Sequence, residues 1–202
     1  QLWEGESDPA ALALMAWTLD RRQIEGGTVA AIRAKLGQQR RQLRVGDVDI
    51  DLARLPGEPP RWIATREVTQ ALWSTLREET PAFFQGAAHP VERVTWCDAL
   101  AFCNSLSEAL GAQPAYSGVE GCAESGGRSV LWSKDSVGAR LPTAAEWDLA
   151  AGGGLPARSW MGDADPGVLR VGWLERTGEG RTHPVGELAE SPWGLADVHG
   201  NV

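Results

Sequence analysis

Apolar residues are distributed in two ways along the chain. From Ala10 to Leu19 they form one nearly continuous run; after residue 45 they come in short runs with helical or strand period. Asp8 followed by Pro9 gives a cap and a first-turn proline, and "AALALMAWTLDRR" then predicts a helix. Thr28 opens a second, in which Val29, Ile32 and Leu36 share a stripe and Arg33, Lys35, Arg40, Arg41 and Arg44 crowd the other faces. The expectation over 7–44 is therefore an antiparallel helical pair. "VGDVDIDLARLP" alternates apolar and polar residues as a half-buried strand does, and "GEPP" reads as a turn. "RWIATREVTQALWSTL" passes from a short strand into a helix near 67–77, with Thr65 or Thr69 as the cap.

Two later helices carry stronger local signals. Thr95 and Asp98 stand at capping-box spacing, Trp96, Ala99, Leu100, Cys103, Leu106 and Leu110 form one stripe, and Gly111 suits the stop. Thr143 and Glu146 repeat the box, and Gly152 to Gly154 end the helix that follows. These patterns predict helices over 95–109 and 143–151, with Trp96, Leu100, Cys103, Leu106 and Trp147 buried together. Residues 117–139 are polar and glycine-rich and give only one strand signal, at "SVLW"; from 155 the chain is mostly turns.

Composition adds limits. A net charge of −8 argues against nucleic acid and anionic lipid as partners, and no apolar run reaches the roughly 18 residues of a membrane span. Ten Trp among 24 Gly and 12 Pro suggest a loop-rich fold pinned by large aromatic anchors. Three cysteines without CxxC give little support to zinc or a disulfide framework; Cys103 reads as a small buried hydrophobe, and a reducing, cytoplasmic setting is the expectation. His89, His183 and His199 lack metal-type spacing, and no nucleophile motif accompanies the Ser, His and Asp residues.

Taken in order, "EVTQALW", "HPVERVTWCDALAFCNSLSE", "ARLPTAAEWDLAAGGG" and "RTHPVGELAESPWGLADVHGNV" resemble the formylglycine-generating enzyme family, also known as the sulfatase-modifying-factor domain. The resemblance covers residues 46–202 and implies an α+β, C-type-lectin-like fold with little regular secondary structure. The helical pair at 1–45 would then be a connector to an upstream domain of the same chain.

The resemblance also implies metals. Active enzymes of the family bind copper through two redox cysteines beyond the "GNV" motif, which there continues into "WEW"; copper would enter only through such a pair, past Val202. Cys97 and Cys103 are six residues apart, about 240° around one helix, and cannot converge on an ion. One family calcium site uses an Asn where this chain has Val171, which should weaken it, with Glu175 or Glu179 as candidate substitutes. A second sits at the "GNV" turn, which nominates backbone oxygens of Gly200 and Val202 with Asn201 between them; a plain turn is the competing reading.

Two functions stay open on this basis. One is a recognition module for a protein or peptide target, as in relatives that use the scaffold without catalysis. The other is a copper-dependent oxidase converting a substrate-protein cysteine to formylglycine, an activity not expected of these 202 residues by themselves.

Overall fold

The computed structural model describes residues 40–55, 59–152, 165–191 and 193–202. Helices and strands are mixed and short, in an order of β1 (Arg40–Val45), β2 (Val48–Leu55), β3 (Arg61–Ala64), α1 (Gln70–Leu76), α2 (Trp96–Ala109), β4 (Tyr116–Ser117), α3 (Cys122–Ser125), β5 (Leu131–Trp132), α4 (Ala144–Ala151), α5 (Asp165–Val168), β6 (Gly172–Trp173) and β7 (His199–Gly200). Three sheets form: β1-β2-β3, the antiparallel pair β4-β5, and the parallel pair β6-β7. No described helix is long and apolar enough to cross a membrane.

The expected helical pair lies outside the described residues except at its end, and there it is corrected. Arg40–Val45 is a strand, not the last turn of a helix. The sequence "RRQLRV" has no cap, whereas a neighbouring strand satisfies its backbone groups in a sheet.

The chain divides into two compact units. One takes the described residues of 1–43, 49–67 and 143–201; the other takes 44–48, 68–142 and Val202. In the first unit Ala53 and Leu55 of β2 pack with Ala150 of α4, Trp193 and Leu195, and Ile63, Leu149 and Val198 close the cluster. Helix α4 starts as its letters predict: the Thr143 hydroxyl accepts from Glu146 N at 3.3 Å, and Glu146 Oε2 accepts from Thr143 N at 2.8 Å. Its other carboxylate oxygen meets Arg61 at 3.2 Å, so this buried glutamate is neither uncapped nor unpaired.

In the second unit the Trp73 and Phe102 rings stack with centroids 5.0 Å apart and planes 4° from parallel. Trp73 Nε1 donates to Glu79 O, and buried Gln70 donates to the carbonyls of Phe84 and Pro90. The Thr95–Asp98 capping box is present at the start of α2. All three expected helices exist at nearly the expected bounds.

The expected core needs revision. Leu100 and Cys103 are buried and Leu106 partly so, but Trp96 is 53% and Trp147 42% exposed, and Trp147 belongs to the other unit. Trp96 is the first helical residue, so its ring overhangs the packed part of α2 and rests on the backbone of Gly127. Phe102 and Ser107 complete the buried side instead. Ser107 is buried because its hydroxyl donates to Cys103 O and accepts from Ala139 N, both at 2.8 Å.

A second correction concerns sulfur. Cys97 and Cys122 form a disulfide, with Cα atoms 5.8 Å apart at a sequence separation of 25. The cross-link is one for which the cysteine count gave little support. The one-turn helix α3 carries Cys122 to the start of α2, and no local sequence signal could specify that approach. Cys103 is the free cysteine, buried as expected.

Candidate functional site

The polar residues that the last turn of the chain gathers lie in the first unit. β6 and β7 pair in parallel, with Gly172 opposite His199 and Trp173 opposite Gly200. Asn201 follows with a φ of 75°, a left-handed conformation that Asn tolerates better than most residues. Its backbone N–H donates to Trp173 O at 2.9 Å. Its side-chain oxygen accepts from His183 N at 2.8 Å, while its amide nitrogen donates to His183 O at 3.1 Å and to Glu67 Oε2 at 2.8 Å. The amide thus pairs with the His183 backbone as another strand residue would.

His183 is buried under the Trp173 ring, stacked at 3.7 Å between centroids, and its Nε2 donates to Gly178 O at 3.1 Å. The Trp147 ring meets the His199 ring edge-on at 5.8 Å. Burial holds His199 below the ordinary imidazole range. Glu67 is the most perturbed carboxyl: burial pushes it up to about 8, opposed by the Asn201 hydrogen bond and reinforced by the charge of Asp197. Asp197 is also raised, chiefly by burial. Its Oδ2 accepts from Gly186 N, while Oδ1 is buried with no hydrogen-bond partner.

The Asn201 side chain is hydrogen-bonded to protein partners at both its oxygen and its nitrogen. Val202 is 63% exposed. The unpartnered Asp197 oxygen lies two residues before β7, and nothing local in the sequence marks it. Its left-handed φ of 53° is a tertiary consequence. At the other expected calcium position, Val171 is a buried apolar residue, Glu175 is exposed, and Glu179 pairs with Arg181 at 3.0 Å. Among the described residues no three of His, Cys, Asp and Glu come together as a metal-binding group.

Copper is a separate case. Two of the three sulfurs are bonded to each other, and burial pushes the Cys103 thiol up to about 11, so it carries no thiolate at neutral pH. Cu(I) selects soft, deprotonated sulfur. The cysteines present therefore do not fit a copper centre.

Residues 14–202 match the profile of the sulfatase-modifying factor enzyme 1-like domain. The chain belongs to this family. As a sulfatase-modifying-factor domain it is similar to the "Chaperone protein LppX" of Paenibacillus barcinonensis, 30% identical over 70% of this chain and 59% of that one. It is also similar to the "Formylglycine-generating enzyme" of Thermomonospora curvata, 26% identical over 98% of this chain and 62% of the enzyme. The chain thus spans about three fifths of the length of these curated relatives. Among solved structures, Treponema denticola variable protein 1 superposes with a TM-score of 0.67 at 25% identity, over 81% of this chain and 74% of that one. CarF gives 0.52 at 25% identity, over 69% and 64%. The sparse mixture of helix and strand described above is the sulfatase-modifying-factor fold.

Proposed function

We propose that this sulfatase-modifying-factor domain is a recognition module for a protein or peptide target, and that these residues do not themselves form an oxidase centre. The observation that carries the reading is the state of the sulfurs. One disulfide and one buried, protonated thiol leave no thiolate pair for Cu(I). The structural likeness to a variable protein and the sequence likeness to a protein named as a chaperone support a role other than catalysis. Aromatic side chains available for contact include Trp132, whose ring lies 5.9 Å from Lys134 Nζ and 5.2 Å from the Arg140 guanidinium, and Phe83, under the Arg93 guanidinium.

The second reading, an oxidase forming formylglycine, is favoured by the likeness to the Thermomonospora enzyme along 98% of the chain. The test is to incubate the 202-residue chain with Cu(I) and a cysteine-bearing sulfatase-type peptide, following both binding and aldehyde formation. Turnover by this chain would sink the recognition reading. Saturable binding of a protein or peptide with no aldehyde formed supports it.

Calcium belongs to the same proposal as a structural ion near the 197–201 turn, held by the unpartnered oxygen of Asp197 with backbone carbonyls of Gly200 and Asn201. It would neutralise the Asp197 charge and stiffen the turn. Calcium titration followed by melting temperature checks it: wild type should gain stability, and Asp197→Ala should not respond.

A further inference from the structure

We infer that the Cys97–Cys122 bond is a maturation site installed by a disulfide-bearing oxidant, and that the chain acquires its working form in an oxidising compartment. The inference is independent of the recognition reading. It rests on how the segment between β4 and β5 is held. Residues 118–130 carry one four-residue helix, α3, with no side-chain cap at its start and a left-handed Gly126 at its end. A single turn of that length does not persist by itself in water.

Apart from sulfur, the segment is organised by small polar contacts. Ser125 and Ser129 share a hydrogen bond of 2.8 Å, and Ser129 donates to Gly118 O at 2.8 Å. Its base is pinned by the short β4–β5 pair and by Asn104, which donates to Tyr116 O and accepts from Tyr116 N. Its apolar contribution to the core is Cys122 itself, whose side chain is fully buried. The cross-link, with the half-exposed Trp96 ring lying on Gly127, is thus what ties the segment to α2.

The same geometry makes the bond structural rather than exchangeable. Cys122 is sealed, so an external thiolate can approach only from the half-buried Cys97 side. Cys103 is buried and protonated at neutral pH, so the chain supplies no thiolate of its own to reshuffle the bond. In forming it, the thiols of Cys97 and Cys122 each lose a proton and together lose two electrons. The electrons reduce the donor's disulfide to a dithiol, and the S–S bond passes to this chain by exchange. Bonds of this structural kind persist in oxidising compartments and are rare where thiols are kept reduced.

The experiment is to produce the full chain by an exported and by a cytosolic route, denature each sample in alkylating reagent, and count labels by intact mass. The exported chain should carry one label, on Cys103, rising to three after reduction. The cytosolic chain should carry three. In parallel, trypsin cleavage after exposed Arg128 should be about tenfold faster once the bond is reduced in place, as expected for a segment that opens locally, and equally fast in the Cys97→Ser, Cys122→Ser double variant. Three labels on the exported chain would overturn the bond. A fully bonded cytosolic chain would overturn the compartment, and equal cleavage rates would overturn the dependence of the segment on sulfur.

Discussion

Truncating Phe102 to Ala should cost far more than truncating Trp96 to Ala, although both lie in α2 and Trp is the larger residue. Phe102 is 4% exposed and stacked on Trp73. Its loss leaves a cavity, for which Phe→Ala changes cost about 3–5 kcal/mol, and forfeits a ring pair worth roughly 0.5–1.5 kcal/mol beyond area. A total of about 3.5–6.5 kcal/mol follows.

Trp96 is 53% exposed. A fully buried Trp covers roughly 200 Å², so about 100 Å² is at stake, or about 2.5 kcal/mol at about 25 cal/mol per Å². Compactness of the unfolded chain trims this to about 2 kcal/mol, and the better helix propensity of Ala returns about 0.5. The net loss is about 1.5 kcal/mol, with no sealed cavity. Urea unfolding followed by circular dichroism separates the two. With a slope of about 2 kcal/mol per molar, midpoints should fall by about 2–3 M for Phe102→Ala and less than about 1 M for Trp96→Ala. Equal shifts, or a larger one for Trp96, would refute the orientation of α2 described here.

Asp98→Asn should destabilise by about 1 kcal/mol at neutral pH through the weakened capping box, measured by the same unfolding assay. The hydrogen bonds from Thr95 hold the Asp98 carboxyl below its ordinary range, so this contribution is present above the unfolded-state pKa and is lost as pH falls through the folded one. Wild type and variant should therefore converge in acid; a constant gap would contradict the assignment. Thr143→Ala should cost about 1 kcal/mol in thermal unfolding, because the hydroxyl caps Glu146 N. Gly200→Ala should cost about 2 kcal/mol or more, since φ is 77° and a Cβ would lie 1.9 Å from Trp173 O; an unchanged melting temperature would count against the β6–β7 pairing.

What could be read from the letters was what neighbours in sequence decide. Thr95 with Asp98 and Thr143 with Glu146 satisfy each other within one turn, so both helix starts are written locally. Whether Trp96 is covered depends on how far the packing partners of α2 extend, and its ring meets Gly127, which lies 31 residues on. The switch of Arg40–Val45 to strand depends on a partner strand, and the Cys97–Cys122 pairing on a turn of helix placed by the β4–β5 pair. Asn201 was legible as part of the last turn, but the partners of its side chain were not. Its oxygen serves a backbone amide 18 residues earlier. The free oxygen of Asp197 is visible only once that fold is complete.

The cross-link has a consequence for how this protein can change over generations. A stretch whose two ends are fixed, by the β4–β5 pair at its base and by sulfur on one flank, need not hold its own shape by length or composition. Closing a loop twice as long costs only about 0.6 kcal/mol more. Insertions and exchanges at the exposed positions between Cys122 and Leu131 should be absorbed there, leaving α2 and its stacked rings undisturbed. The cysteines themselves are the letters that stretch can least spare.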